Sequence, residues 1–215
     1  YSGNAALGYI ADFQGSSGSQ TFVSIAAPNA SSLGDNGIVI GEDASNTYIT
    51  QRGNKPINLA CNGQTRLKID GSGRITTPYQ PMFSYLGSKS HVISTTGDQV
   101  MSSSNVWSAS VNHALNRGSH FNASNGRFTA PVTGTYALYF RCQASNLTSG
   151  YLWFYFKVNG SAKSYAQKSQ EAALTAMTHH MIFELSASDY VTSEWTNNYV
   201  SGQIHYPSFS GHLIG

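Results

Sequence analysis

The feature that most constrains the fold is a set of stretches in the second half of the chain where apolar residues occupy every second position. Residues 136–142, 151–158 and 177–185 each follow this pattern. Side chains of a β-strand point alternately to its two faces, so a period of two predicts strands. Helical periodicity is almost absent, and clusters of Gly, Asn, Ser and Pro separate the short apolar runs. The sequence therefore predicts an all-β chain.

Residues 151–158 differ from an ordinary surface strand because neither of their faces is polar. Leu152 and Phe154 lie on one face, and Trp153 and Tyr155 lie on the other. A strand of a monomeric sandwich usually has one polar face, so the second non-polar face predicts contact with another subunit. We therefore assign a set of aromatic residues to the core or to a trimer interface: Tyr136, Tyr139, Phe140, Trp153, Tyr155 and Phe209.

The composition limits what the chain can bind. Charged residues make up 10% of the chain and the formal net charge is +2, whereas aromatic residues reach 12%. So weak a charge predicts no nucleic-acid partner, and no apolar run reaches the roughly 18 residues of a membrane-spanning helix. Low charge with many small polar and aromatic residues is typical of β-structured fibres and sandwich domains, and not of disorder.

The two cysteines, Cys61 and Cys142, lie far apart in the sequence, each within an alternating apolar stretch. Free cysteines behave as small buried hydrophobic residues, so we expect two free, buried thiols and no disulfide. A secreted scaffold held together by disulfides is therefore disfavoured.

Residues 1–78 are the less compact half of the chain. Asn62-Gly63 separates two alternating runs, which is a strong hairpin signal because both residues readily adopt a positive φ. Hairpins this thin carry too little apolar surface to fold alone, so partner chains would complete the core. Residues 63–75, GQTRLKIDGSGRI, resemble short elements of bacteriophage tail fibres, where three chains wind into a β-prism stalk. We expect residues 1–78 to form such a stalk, followed by a head domain over residues 79–215.

A second family resemblance runs through the head. Asn116 is followed five residues later by Phe121 and seven residues after that by Phe128. The run 126–136, GRFTAPVTGTY, and the ending 209–214, FSGHLI, complete an ordered pattern that resembles the head domain of complement C1q. The resemblance implies a jelly roll of about ten strands, a tight homotrimer, and ligand binding on loops and lateral faces. No collagen repeat of the Gly-x-y type precedes the head here.

The sequence departs from this family pattern at three positions. Ser110 stands where the family has its first Phe, and Leu138 stands where it prefers Phe. Ser188 stands where the family has Gly, within a turn and strand that otherwise match at Leu185 and Asp189.

The head offers few groups for catalysis, and we predict that it is not an enzyme. Cleavage of a glycan would need two carboxylates held about 5–9.5 Å apart, and the sequence singles out no such pair. No Gly-x-Ser-x-Gly nucleophile elbow is present either. The carboxylates of the head are Asp98, Glu171, Glu184, Asp189 and Glu194.

Metal and cofactor sites are not expected. His179 and His180 are neighbours in a predicted strand and face opposite ways, so one chain cannot use both on one ion. Calcium occurs in some members of the family that the head resembles, and Asp98 and Asp189 would then be the candidates. No Asp-rich loop supports calcium, so no residue is assigned to a metal.

The jelly roll predicts where receptor-binding loops lie. Antiparallel strands alternate in direction, so their connections alternate between the two ends. With the chain entering and leaving at the base, as in the family, loops near residues 144–150, 169–173 and 197–205 lie at the tip, and Asn159-Gly160 at the base. Amide and hydroxyl groups beside aromatic rings suit sugars. The expected receptor-binding residues are Asn146, Tyr151, Glu171, Asn197, Asn198, Tyr199 and His205.

These features together predict the non-enzymatic, trimeric tip of a phage or virus fibre, exposed outside the cell on the virion. It would bind a host cell-surface glycan or protein, with carbohydrate favoured, for adsorption. Its other partners would be two identical chains and the upstream fibre or virion proteins. Two alternatives stay open: a structural head that holds three chains in register while recognition lies elsewhere, and a C1q-like lectin unrelated to virions.

Overall fold

The computed structural model describes a chain that is built from strands alone. No helix occurs in the ranges given below, so none there could cross a membrane. The chain divides into two compact units, Tyr1–Pro78 and Tyr79–Gly215. The all-β expectation is therefore confirmed. The structure describes residues 21–25, 37–42, 44–87, 91–92, 97–101, 115–171, 173–197 and 202–215.

The first unit contains two antiparallel sheets of three strands each, with the strands paired in chain order. Their short length is typical of hairpins that need further apolar cover. The strands are β1 (Thr21–Ile25), β2 (Ile38–Glu42), β3 (Thr47–Gln51), β4 (Ile57–Cys61), β5 (Gln64–Ile69) and β6 (Ile75–Thr76).

The Asn62-Gly63 hairpin is confirmed. Both residues have positive φ, 51° and 70°, and Cys61 pairs directly with Gln64 across the turn. Cys61 is a free thiol as expected, but it is exposed and not buried. The reason is that no described part of the chain covers β4 as a second layer, so its last four residues are exposed on both faces.

Large apolar side chains of the first unit remain exposed in the single chain. Among the described residues, Ile49, Leu59 and Ile75 expose 58%, 56% and 66% of their surface, whereas Val39 is buried at 5%. Apolar surface left open along both sheets is what a segment needing further chains to complete its core would show.

The second unit is a sandwich of two six-stranded sheets. Sheet I has the order β10-β7-β18-β13-β16, with β8 also pairing to β18. Sheet II has the order β11-β12-β17-β14-β15, with β9 also pairing to β17. The strands are β7 (Met82–Leu86), β8 (His91–Val92), β9 (Gly97–Val100), β10 (Leu115–Arg117), β11 (Phe121–Asn122), β12 (Arg127–Thr129), β13 (Gly134–Ser145), β14 (Leu147–Val158), β15 (Ser161–Glu171), β16 (Thr175–Leu185), β17 (Tyr190–Asn197) and β18 (Gln203–Leu213).

The core lies between the two sheets and is rich in aromatic rings. Phe209, on β18, lies with its ring centroid 4.8 Å from Phe83, 5.7 Å from Phe121 and 5.8 Å from Phe156. Buried aromatic side chains of this size dominate the stability of a sandwich. Cys142 is buried in the same core as a free thiol, as expected, and burial raises its pKa.

The local structure explains the residue types at several positions of the family pattern. The Asn116 carboxamide donates to the Phe121 carbonyl oxygen (2.7 Å) and accepts from the Phe121 N–H (3.0 Å), which explains their spacing. The Tyr136 hydroxyl donates to the Val132 carbonyl oxygen at 2.8 Å. Ser188, where the family has Gly, has a φ of 76°, a conformation that an L-residue adopts only at a cost. Ser110 lies outside the described residues.

One irregularity of sheet II decides which side chains face outward. After the Asn159-Gly160 turn, Lys157 pairs with Ala162, whereas Phe156 pairs with Ser164. Lys163 is therefore an extra residue in β15, and the strand carries a β-bulge there. From Ser164 to Ser169, the residues of β15 are therefore displaced by one position relative to β14, and a second register shift follows between Tyr151 and Leu147.

The connections of the second unit gather at two ends of the sandwich. At the near end the chain enters and leaves: the Gln80 side chain donates to the Leu213 carbonyl oxygen at 3.3 Å. The Asn159-Gly160 turn lies at this end as well, because Asn159 bonds the Asp189 carboxylate in the turn after β16. The far end holds Asn146 and the adjoining ends of β15, β16, β17 and β18.

Candidate functional site

The far end brings together the described members of the expected receptor-binding set. The register pairs Leu147 with Glu171, and Leu152 with Asn197. The side chains of Glu171 and Asn197 lie outside the described part of the structure, as do residues 198–201, which include Asn198 and Tyr199. The contact of these residues with a receptor stays a prediction.

Asn146 and His205 occupy fixed places at this end. Asn146 connects β13 to β14 with a φ of 57°, a left-handed conformation that Asn tolerates better than most residues, and its side chain is exposed. The His205 Nε2 atom lies 2.8 Å from the Ser145 hydroxyl oxygen, and its ring lies beside Tyr206 at 6.4 Å. The polar groups here are held by the strand ends themselves.

Tyr151 links the far end to the outer face of sheet II. It exposes 43% of its surface, and its ring stacks on Trp153 at 5.7 Å between centroids. The Trp153 indole N–H donates to the Gln167 carboxamide oxygen at 2.9 Å. Tyr155 continues the same face and lies 6.2 Å from Tyr165 between ring centroids.

The outer face of sheet I has a different chemistry. Tyr139 exposes 46% of its surface and stacks between His180 at 6.3 Å and His212 at 6.2 Å. The register places Ile182 on the same face, next to Ala137, and Ile182 is 63% exposed. Leu86 and Leu115, exposed by 41% and 40%, also lie on this face. These exposed apolar side chains share the face with polar ones, since the register also places Arg141, Ser208 and Ser210 there.

The six residues predicted for the core or the trimer interface therefore do not share one surface. Tyr136, Phe140 and Phe209 are buried in the core of the single chain, at 0%, 3% and 0% exposure. Tyr139 lies on the outer face of sheet I, whereas Trp153 and Tyr155 lie on the outer face of sheet II.

Neighbouring His179 and His180 face opposite ways, as expected. His179 points inward: its Nε2 atom lies 3.0 Å from the Ser164 hydroxyl oxygen and its ring stacks on Phe156 at 4.9 Å. Burial, with a smaller contribution from His180, lowers the pKa of His179. His180 lies on the outer face beside Tyr139, so the two rings cannot share an ion.

Two carboxylates of the second unit, Glu194 and Asp189, are held by neighbouring groups. Glu194, 7% exposed, forms an ion pair with Lys157 at 2.9 Å and accepts from the Thr192 hydroxyl at 2.7 Å. Asp189 accepts from the Asn159 side chain at 2.7 Å and from the Ser186 N–H at 2.8 Å, and these two hydrogen bonds lower its pKa in that order. Both residues therefore stabilise local structure.

No metal site is formed by the residues that the structure describes, since no three His, Cys, Asp or Glu side chains among them come together. Of the two calcium candidates, Asp189 is held in its turn by the hydrogen bonds above. The side chain of Asp98 lies outside the described residues.

Tyr165 and Gln167 are surface groups that the sequence did not single out. Tyr165 is 65% exposed, and Gln167 holds the Trp153 indole. A regular count from the Asn159-Gly160 turn would place Ala166 opposite Trp153, and only the bulge at Lys163 brings Gln167 there. The alternation of polar and apolar residues in β15 is too weak to reveal that shift.

Comparisons with known proteins extend these observations. The model of the C1q domain matches residues 92–214. Among solved structures, the globular domain of zebrafish complement 1qA protein is 19% identical, covers 63% of this chain and 98% of its own, and has a TM-score of 0.49. The crystal structure of murine APRIL at pH 5.0 is 13% identical, covers 63% of this chain and 99% of its own, and has a TM-score of 0.47. No curated protein matches the chain.

Proposed function

The chain belongs to the C1q domain family, and we propose that it is the non-enzymatic, trimeric tip of a phage or virus fibre that binds a host cell-surface receptor for adsorption. Domains of this family typically form homotrimers and bind ligands. The observation that carries the proposal is the joining of such a head to a first unit of thin hairpins whose apolar side chains remain exposed. The protein would then stand on the virion, outside the cell, attached to upstream fibre proteins.

The far end of the sandwich is the proposed receptor end. It lies opposite the end where the chain enters and leaves, and Asn146, Tyr151 and His205 are held there by strand ends. Amide, imidazole and phenol groups can hydrogen-bond hydroxyls while an aromatic ring contacts C–H surfaces, so a carbohydrate receptor is favoured.

The receptor end can be tested by substitution of its connecting loop. We expect the Asn198→Ala/Tyr199→Ala double variant to weaken binding of the purified chain to host cells, or to glycans on an array, by at least about tenfold. The matched control is Ser186→Ala, an exposed position at the near end, which should bind as the wild type does. Wild-type binding by the double variant would contradict this placement, and a wild-type chain that binds neither cells nor glycans would contradict the function.

The proposed trimer interface is the outer face of sheet I. Tyr139, Ile182, Leu86 and Leu115 present exposed apolar surface there, and a patch of this kind usually marks an interaction site. Association of identical chains through one such face would place Tyr139 and its two histidine neighbours near the centre of the contact.

An arginine at Ile182 should break this assembly. Burying an unpaired charge in an apolar contact costs several kcal/mol, and each trimer would bury three copies. We expect Ile182→Arg to dissociate at chain concentrations where the wild type has the mass of a trimer, as measured by sedimentation equilibrium. Tyr165→Arg is the control, since Tyr165 is as exposed (65% against 63%) but lies on the opposite sheet. Trimeric Ile182→Arg with an unchanged dissociation constant would argue against this interface.

A structural role for the head remains the second candidate, and the exposed apolar side chains on the outer face of sheet I are the observation that favours it. A head that only holds three chains in register needs that face but not the far-end loops. It would predict a trimer that loses mass on substitution of Ile182, together with host binding that is indifferent to Asn198 and Tyr199.

A further inference from the structure

We propose that the outer face of sheet II carries a second saccharide-binding surface, a lateral aromatic row formed by Tyr151 and Trp153 of β14 with Tyr165 and Gln167 of β15. The row begins near the far end at Tyr151 and continues along the strands. This inference rests on the proposed function in one respect, namely that the ligand of the protein is a saccharide.

The row places aromatic surface where a ligand can reach it. Tyr151 and Tyr165 expose 43% and 65% of their surface, and Trp153 is partly exposed between them. The odd-numbered residues of β14 point outward because Leu152, Phe154 and Phe156 are buried at 0%, 1% and 0%. Aromatic rings offer large contact surfaces to the C–H groups of a sugar ring at low cost in conformational entropy.

The rings of the row are also held in place before any ligand binds. Trp153 stacks on Tyr151 with an angle of 26° between the rings, and its N–H donates to Gln167 at 2.9 Å. Rings that are already positioned lose little freedom on binding, which favours affinity. The Gln167 carboxamide accepts from Trp153 through its oxygen, and its amide nitrogen carries two N–H groups, which suit the hydroxyls of a saccharide.

The electrostatics favour a neutral ligand. The cross-strand rows of Trp153 and Tyr155 hold two carboxylate residues: Glu194, which Lys157 neutralises at 2.9 Å, and Asp98, which the register pairs with Thr196 on β9. An anionic partner would find no unpaired cation in these rows. A neutral glycan needs none, because its recognition depends on hydroxyl hydrogen bonds and contact with its C–H faces.

The contrast between the two outer faces argues against a second copy of the chain as the occupant. The face of sheet I carries aliphatic side chains such as Ile182, Leu86 and Leu115, which suit a dry protein interface. The lateral aromatic row combines phenol, indole and carboxamide groups, and among the described positions of its cross-strand rows the one aliphatic residue is Val100, two strands from β14 on β9. Each apolar ring there lies beside a hydrogen-bonding group, as a polar and ring-shaped ligand requires.

The test uses the full chain and an array of neutral and acidic oligosaccharides, with the best-bound neutral one then titrated by calorimetry. We expect Trp153→Leu, which keeps apolar bulk but removes the ring, to weaken binding by about tenfold or more, and Tyr165→Ala to weaken it as well. Val132→Ala, at a 46% exposed position near the other end, is the control and should bind as the wild type does. In the wild type, the indole N–H resonance of Trp153 should shift on addition of the saccharide.

The outcomes separate this proposal from the receptor end. Weakening by the row variants, with trimer mass and unfolding midpoint unchanged, supports the row whether or not Asn198 and Tyr199 matter. Weakening by Asn198→Ala/Tyr199→Ala alone, with wild-type affinity in both row variants, overturns the row and leaves the proposed function standing. The row is also overturned if its variants change the mass of the assembly, which would indicate a subunit contact, or if the wild type binds no oligosaccharide.

Discussion

Replacing Phe209 with alanine should lower the free energy of unfolding of the second unit by about 3–5 kcal/mol, the range found for large aromatic residues removed from a core. The ring is fully buried and touches aromatic rings of both sheets, with Phe83 at 4.8 Å and Phe156 at 5.8 Å between centroids. Its strand, β18, is paired on both sides. The backbone therefore cannot move in to fill the cavity, and the loss should be near the upper end of the range.

Equilibrium unfolding in denaturant, followed by fluorescence at one fixed chain concentration, measures this loss. The concentration must be fixed because the stability of an oligomer depends on it. Tyr206→Ala is the matched control: it removes an aromatic ring from the same strand at a 58% exposed position. We expect less than about 1 kcal/mol there. Equal losses in the two variants would show that the ring of Phe209 is not central to the core.

Gly126→Ala should be the second most damaging of these changes, with a loss of about 2–5 kcal/mol. Gly126 has a φ of 67°, and a Cβ atom there would overlap the Met101 carbonyl oxygen. The Met101 backbone cannot easily withdraw, because its N–H donates to the Ser193 carbonyl oxygen at 3.1 Å. The substitution therefore combines an unfavourable backbone conformation with a steric clash.

Gly160→Ala separates the cost of the backbone conformation from the cost of the steric clash. Gly160 has a φ of 79°, and its nearest neighbour to an added Cβ would be the Tyr190 hydroxyl oxygen at an ordinary 3.6 Å. This variant should show only the backbone cost of about 1–2 kcal/mol. The difference between the two variants, measured by the same unfolding experiment, is the contribution of the Met101 contact. A Gly126→Ala protein as stable as Gly160→Ala would contradict the clash.

Much of the fold could be predicted because its signals are local. The alternation in residues 136–142 and 177–185 becomes β13 and β16, and Asn159-Gly160 makes the expected two-residue turn between Val158 and Ser161. The spacing of Asn116 and Phe121 reflects a pair of hydrogen bonds within five residues. Patterns of this kind depend on neighbouring residues, so a single sequence carries them.

The surface of the head was harder to predict, because it depends on register between strands. The sequence assigned six aromatic residues to the core or a trimer interface, but it could not sort them among a core and two outer faces. The prediction that Cys61 is buried was wrong, because alternation predicts that a strand has two faces but not whether anything covers them. Tyr165 and Gln167 were missed because a bulge leaves no local signature as clear as Asn-Gly.

The extra residue Lys163 has an evolutionary consequence. Deleting Lys163 would place Ser164 directly after Ala162, so the bulge would close while Tyr165 and Gln167 still paired with Tyr155 and Trp153. If Lys163 instead paired regularly with Phe156, Ser164 and Ala166 would take those two places. Loss of this one codon is therefore expected to leave the chemistry of the lateral surface unchanged, whereas a one-residue deletion within a regular strand would turn every following side chain to the other face.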